Sequence, residues 1–106
     1  MYYTINSNLV DDSLTITFIK SDPPFSTYRD ILSQLLNNQH VYQRVVINIS
    51  TVENVDSSLL GFLFAIYKLF GLQQSNLTII VGSDKQYKLL VLVGIDKYTT
   101  IQFIDA

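Results

Sequence analysis

The side chains best suited to chemistry in this chain are Asp56, Ser57 and Ser58, three polar residues set between a β-branched run and a long apolar one. A carboxylate followed by two hydroxyls admits two uses. As structure, Asp56 is the N-cap of a helix, its carboxylate accepting from a free backbone N–H, and the serines fill the first turn. As function, one hydroxyl is exposed at a helix N-terminus and is open to phosphorylation. A phosphate there would meet free N–H groups and the positive end of the helix dipole, so the helix would survive it. It would also place about −2 of charge beside Asp56 on a surface, enough to repel a partner.

No catalytic constellation accompanies these residues. The one histidine, His40, lies in a polar segment with no second ligand or base beside it, and such a residue reads as solvated surface. Asp22, Asp30, Glu53, Asp56, Asp84 and Asp96 are dispersed, and no nucleophile–histidine pairing is evident. Gly61, Gly71, Gly82 and Gly94 stand singly, without the spacing of a phosphate-cradling loop. The absence of cysteine excludes disulfides, thiolate catalysis and Cys-ligated zinc. These facts argue against a small flavodoxin-like enzyme, and neither cofactor nor metal is expected.

With 106 residues, 48% of them hydrophobic and 15% charged, the chain suits one compact domain over 1–106 with a single core. A net charge of −2 and no basic stripe give nucleic-acid binding no electrostatic support. The opening MYYTINSNLV has neither the basic segment nor the apolar core of a signal peptide. The most apolar stretch, Leu59 to Leu72, is shorter than the ~20 residues that span a bilayer. No membrane insertion is expected, and the location expected is cytoplasmic.

The elements that must position Asp56-Ser57-Ser58 follow from periodicity. Tyr3, Ile5 and Leu9 alternate roughly, Asp11-Asp12-Ser13 is turn chemistry, and Leu14, Ile16 and Phe18 alternate cleanly with Thr15 and Thr17. Together they predict a β-hairpin, stopped by Pro23-Pro24. Tyr28, Ile31, Leu32, Leu35 and Leu36 form a helical stripe, with Ser26 or Thr27 as the expected N-cap and Asn37-Asn38 as its end. Val45, Val46, Ile47 and Ile49 predict a buried strand, Leu77 to Val81 another, and Thr99 to Ile104 a last one with Ile101 and Phe103 on one face. Between the last two, Ser83-Asp84 opens a helix whose stripe is Tyr87, Leu90 and Val91, with Gly94 as its stop. The order is β-β-α-β-α-β-α-β, which implies a mostly parallel α/β sheet with an antiparallel element at the N-terminus.

The helix after Asp56 is lopsided. Leu59, Leu60, Phe62, Leu63, Phe64, Ile66, Tyr67, Leu69 and Phe70 cover an arc of roughly 220° at 100° per residue. Packing one side on a sheet needs only about 100°. The excess implies neighbours on two sides or an exposed apolar edge. The narrow remaining face carries Ser57, Gly61, Ala65 and Lys68, where small residues allow close approach, either by a neighbouring element of the chain or by a partner.

The strand VVINIS, the segment VENVDSSLLGFLFAIYKLF, the strand LTIIVG, then SDKQYKLLVLVGI and IQFID together resemble a STAS domain of the anti-sigma-factor-antagonist type. The match runs from about Arg44 to Ala106. The resemblance implies a four- or five-stranded mixed sheet with helices packed mainly on one side, and a non-enzymatic partner-switching role in transcription regulation. In that scheme the unphosphorylated protein binds an anti-sigma-factor or serine-kinase-like regulator, and phosphorylation of the serine after the Asp releases it. That serine is Ser57, with Ser58 the alternative. The implied partner-binding surface is Asp56, Ser57, Ser58, Gly61, Phe64, Ala65 and Lys68. A second implied reading drops phosphorylation and makes the chain a constitutive subunit of a larger lipid-transport or sensory assembly. Two features depart from the family pattern. Leu59 stands where the family has glycine, adding bulk where a kinase or partner must approach. Lys20 to Phe25 replaces the familiar Gly-Glu-Leu-Asp segment.

Overall fold

The computed structural model describes residues 1–37, 42–70 and 76–104, with Phe70 described in its backbone only. The loop around His40, the helix end at Asn38 and the stop at Gly71 lie outside the described residues. The elements are β1 (Tyr3–Asn8), β2 (Ser13–Phe18), α1 (Phe25–Asn37), β3 (Arg44–Asn48), α2 (Ser57–Phe70), β4 (Leu77–Val81), α3 (Asp84–Leu92), a 3-10 turn (Ile95–Lys97) and β5 (Thr100–Phe103).

β1 and β2 form the antiparallel hairpin, with Tyr3 opposite Phe18 and Ile5 opposite Ile16. Its turn places Asp12 in the left-handed region (φ 58°), and Asp11 Oδ1 accepts from Ser13 Oγ at 2.6 Å. Aspartate tolerates that backbone better than most residues, so the Asp-Asp pair is what the turn requires. The other strands pair in parallel, and the sheet order is β1-β2-β3-β4-β5.

That order explains where the helices go. Three parallel crossovers step in the same direction, and right-handed crossovers then put all three helices on one face. Burial agrees: Leu14, Ile16 and Phe18, Val45 and Ile47, and Leu77, Ile79 and Val81 are buried, while Thr15, Thr17, Val46, Asn48, Thr78 and Ile80 on the other face are partly exposed. The sheet is five-stranded and mixed, with its helices on one side.

α2 is the central helix. Leu59, Phe62, Leu63 and Ile66 are buried on the sheet. On one flank Phe62 meets Tyr28 of α1, ring centroids 5.4 Å apart. On the other, Phe64 and Tyr67 meet Tyr98 at 6.3 Å and 5.7 Å. The wide apolar arc is thus covered by neighbours on both sides.

Two local expectations are corrected. α1 begins at Phe25, so Ser26 and Thr27 lie inside its first turn rather than capping it, and Thr27 N–H donates to the Pro24 carbonyl at 2.9 Å. The prolines stop β2 and deliver the chain directly into the helix. α3 is turned from its expected stripe: Gln86 and Leu90 face inward, while Tyr87 and Val91 are exposed. The Gln86 side chain satisfies buried backbone groups that no apolar residue could, and it decides the rotation. The cap and stop of α3 are as expected, with Ser83 Oγ accepting from Gln86 N–H at 3.2 Å and Gly94 in the left-handed region at φ 80°.

Candidate functional site

The helix N-termini, Asp56 among them, gather at the carboxyl ends of the parallel strands, and the loop leading to Asp56 is held from several directions. Asn48 Oδ1 accepts from both the Ser50 N–H (2.9 Å) and Ser50 Oγ (2.6 Å), a side-chain turn of the kind Asn makes readily. Thr51 Oγ1 donates to the Phe18 carbonyl at 2.6 Å, and Glu53 N–H donates to the Ser21 carbonyl at 2.9 Å. From α3, Gln86 Nε2 donates to the carbonyls of Ile49 and Val52, while its Oε1 accepts from Gly82 N–H at 2.6 Å. Gly82 is pressed against this loop, since a Cβ there would lie 2.8 Å from the Ser50 carbonyl oxygen.

Asp56 caps α2. Its Oδ1 accepts from Leu59 N–H at 2.9 Å, and its carbonyl accepts from Leu60 N–H at 3.1 Å. The cap leaves Ser57 exposed in the first turn, with Ser58 partly buried. The Leu59 side chain is 0% exposed and joins the core. The bulk expected to obstruct an approaching kinase is inside the protein, since the helical period turns position 59 to the sheet when 57 and 61 face out.

The exposed residues of α2 are Ser57, Gly61 and Lys68, with Phe64 and Ala65 partly buried on the same side. A Cβ at Gly61 would meet nothing within 4 Å. No neighbouring element of the described chain uses the space that Gly61 leaves, which removes the packing explanation for that residue.

The predicted residues divide between two clefts. Ser57, Ser58 and Gly61 line one of about 400 Å³ between α1 and α2, together with Phe25, Tyr28, Arg29 and Phe62. Phe64 and Lys68 line another of about 370 Å³ with Tyr67, Val93 and Tyr98. Asp56 and Ala65 are not among the lining residues of either. Tyr28 is buried between Phe18 (5.6 Å) and Phe62. Its hydroxyl is pushed up to about 12, first by burial and then by the charges of Asp56 and Asp22. Arg29 lies over the Phe25 ring, 5.3 Å from its centroid.

Sequence reasoning gave no site role to Phe25, Arg29, Gln86 or Tyr98. An aromatic–arginine pair at i, i+4 is a readable signal for the first two. Gln86, between Lys85 and Tyr87, looks like any solvated helix residue until its partners are known. Among the described residues no three His, Asp or Glu side chains come together as a metal-binding group, and no helix is long and apolar enough to cross a membrane.

The sequence model of the STAS domain family matches residues 3–103. Comparison with curated proteins finds no match. Among solved structures, the chain is similar to the Bacillus cell fate determinant SpoIIAA in its phosphorylated form. The TM-score is 0.68 at 10% identity, covering 93% of this chain and 89% of that one. At that identity the likeness concerns the fold.

Proposed function

Because this chain belongs to the STAS domain family, we propose that it is a non-enzymatic protein-interaction module resembling an anti-sigma-factor antagonist. It docks a regulator or serine-kinase-like partner on the exposed face of α2 and is switched by phosphorylation at Ser57. The face comprises Asp56, Ser57, Ser58, Gly61, Phe64, Ala65 and Lys68. The reading places the protein in the cytoplasm with transcription regulation as its output.

The observation that carries this reading is Gly61. A glycine inside a helix costs about 1 kcal/mol relative to alanine, and nothing within 4 Å uses the room it leaves. The fold gains nothing from it, so the close approach it permits belongs to a second molecule. Ser57 stands one turn away on the same face. A kinase would transfer the γ-phosphoryl group of ATP to Ser57 Oγ, with loss of the hydroxyl proton and departure of ADP. The added charge would oppose a partner seated on that face. Ser58, partly buried, is the second acceptor. That SpoIIAA has been solved phosphorylated supports the switch by analogy.

The test is capture of partners from native extract with wild-type, Ser57→Ala and Ser57→Asp baits, joined to mass measurement after incubation with the cognate kinase and ATP. A protein bound by the first two baits and lost from the third supports the switch. An unchanged mass, or modification that persists in Ser57→Ala, overturns it.

A constitutive subunit of a larger assembly is the second reading. It is favoured by a further apolar surface away from the α2 N-terminus, where Leu92 is 79% exposed beside exposed Val91, Val93 and Tyr98. It expects Ser57→Asp to leave partner binding unaltered while a bulky change at Gly61 or Ala65 abolishes it.

A further inference from the structure

We propose that a phosphate on Ser57 is received within the chain by the guanidinium of Arg29, across the cleft between α1 and α2, and that the pair covers the apolar floor of that cleft. The proposal rests on the reading of Ser57 as the phosphorylated residue.

The N-terminus of α2 is by itself a poor receiver. Asp56 already occupies the Leu59 N–H, and its carboxylate stands next to the position the phosphate would take. Asp22 and Asp56 both act on the Tyr28 hydroxyl, so the charges around this end of the cleft are negative. A dianion added there needs a cation. Arg29 is the cationic side chain among the residues lining the cleft with Ser57 and Ser58. Lys20 is engaged elsewhere, over the Tyr2 ring at 5.1 Å, and Lys85 lines a separate groove with Glu53 and Ser83.

Arg29 is also free to respond. It is exposed, and among the described residues no carboxylate lies within ion-pair distance of it; its guanidinium rests on the Phe25 ring. A cation–π contact leaves the guanidinium N–H groups available, and their fork matches phosphate oxygens two at a time. Ser57 and Arg29 line the same cleft of about 400 Å³, and both are exposed. Once they meet, Phe25, Leu32 and Phe62, which form the apolar part of the lining, lie beneath an ion pair. Phosphorylation would then act in two ways, by charge at the α2 face and by closing the cleft next to it.

The experiment installs phosphoserine at position 57 during translation, so the pairing is read whether or not any kinase modifies the protein. The second ionisation of the phosphate is followed by ³¹P NMR in the wild-type background and in Arg29→Gln, Arg29→Lys and Arg44→Gln. The groups facing the phosphate are Arg29, Asp56, Asp22 and the neutral Tyr28 hydroxyl. A guanidinium in contact favours the dianion, so its loss raises that pKa; the expected rise in Arg29→Gln is about half a unit to one unit. Arg29→Lys is expected between the two. Arg44, at the far end of β3 and paired to Asp11 at 3.5 Å, serves as the control for net charge and is expected to change nothing. Arg29→Gln titrating with the wild type, or Arg44→Gln shifting as far as Arg29→Gln, overturns the proposal. Absence of Ser57 phosphorylation by the cognate kinase would instead count against the switch itself and leave the pairing result standing.

Discussion

The Gln86 side-chain amide donates to the Ile49 carbonyl at 2.9 Å, tying the first turn of α3 to the end of the central parallel run. The same amide group reaches the Val52 carbonyl and Gly82 N–H. One buried side chain thus satisfies three backbone groups around the loop that presents Asp56. Gln86→Leu strips the buried Val52 carbonyl of its side-chain donor and the half-buried Gly82 N–H of its acceptor, each an expense of about 1–3 kcal/mol when unrelieved, while the Ile49 carbonyl keeps the bond from Val52 N–H at 2.9 Å. The expected loss of stability is about 2–4 kcal/mol by urea denaturation, with faster amide exchange over Val52 to Asp56 than the global loss accounts for.

Gly82 and Gly61 answer the same substitution with opposite sign. At Gly82 a Cβ would press on the Ser50 backbone at 2.8 Å, so Gly82→Ala forces the loop to move and destabilises by about 1–3 kcal/mol. At Gly61 the Cβ enters open space, and Gly61→Ala stabilises α2 by about 0.5–1 kcal/mol. Parallel denaturant titrations check the pair. A bulkier Gly61→Leu keeps the fold and blocks the proposed docking face.

Leu59 is a core residue in the first turn of α2, at the position where the resemblance leads one to expect glycine. Leu59→Ala is expected to cost about 2–5 kcal/mol, the range for a buried leucine that leaves a cavity. Leu59→Gly is expected to cost more, by the helix penalty of glycine. Glycine at this position would therefore destabilise this chain, as thermal unfolding would show.

Asp56 carries the cap of α2 through its bond to Leu59 N–H. Asp56→Ala removes that acceptor and is expected to cost about 1 kcal/mol, while Asp56→Asn keeps an acceptor oxygen and most of the stability. The measurement is the urea midpoint of both variants at neutral pH.

Tyr28 makes stability sensitive to alkali. An unfolded tyrosine ionises near its ordinary 10, whereas burial, Asp56 and Asp22 hold the folded group up to about 12. Between those values the folded chain retains a proton that the unfolded chain has lost. Stability contributed by the neutral hydroxyl is present below pH 10 and declines as pH rises through the window. The unfolding midpoint is expected to fall less steeply from pH 10 to 12 in Tyr28→Phe than in the wild type.

Much of the architecture was legible in residue order. Strands such as Leu14-Thr15-Ile16-Thr17-Phe18 and the stripe of α1 announce their periods, and Ser83 and Gly94 mark the ends of α3 through backbone rules that act within a few residues. Asp56 as a cap belongs to the same class. The rotation of α3 was not legible, because periodicity counts Tyr87 and Val91 as apolar and cannot know that Gln86 finds the buried Val52 carbonyl to donate to. Nor did the glycine expected at position 59 reveal that Leu59 faces the core.

By itself the sequence determined the strand–helix alternation, the cap at Asp56 and the small-residue line on α2, since these depend on local sterics and on hydrogen bonds between near neighbours. The tertiary structure decided which residues share a surface. It brought Arg29 and Phe25 of α1 to the cleft of Ser57, set Tyr98 against Phe64 and Tyr67, and left Gly61 open. Those relations arise where segments far apart in the chain pack on one sheet face, and no local rule carries that information.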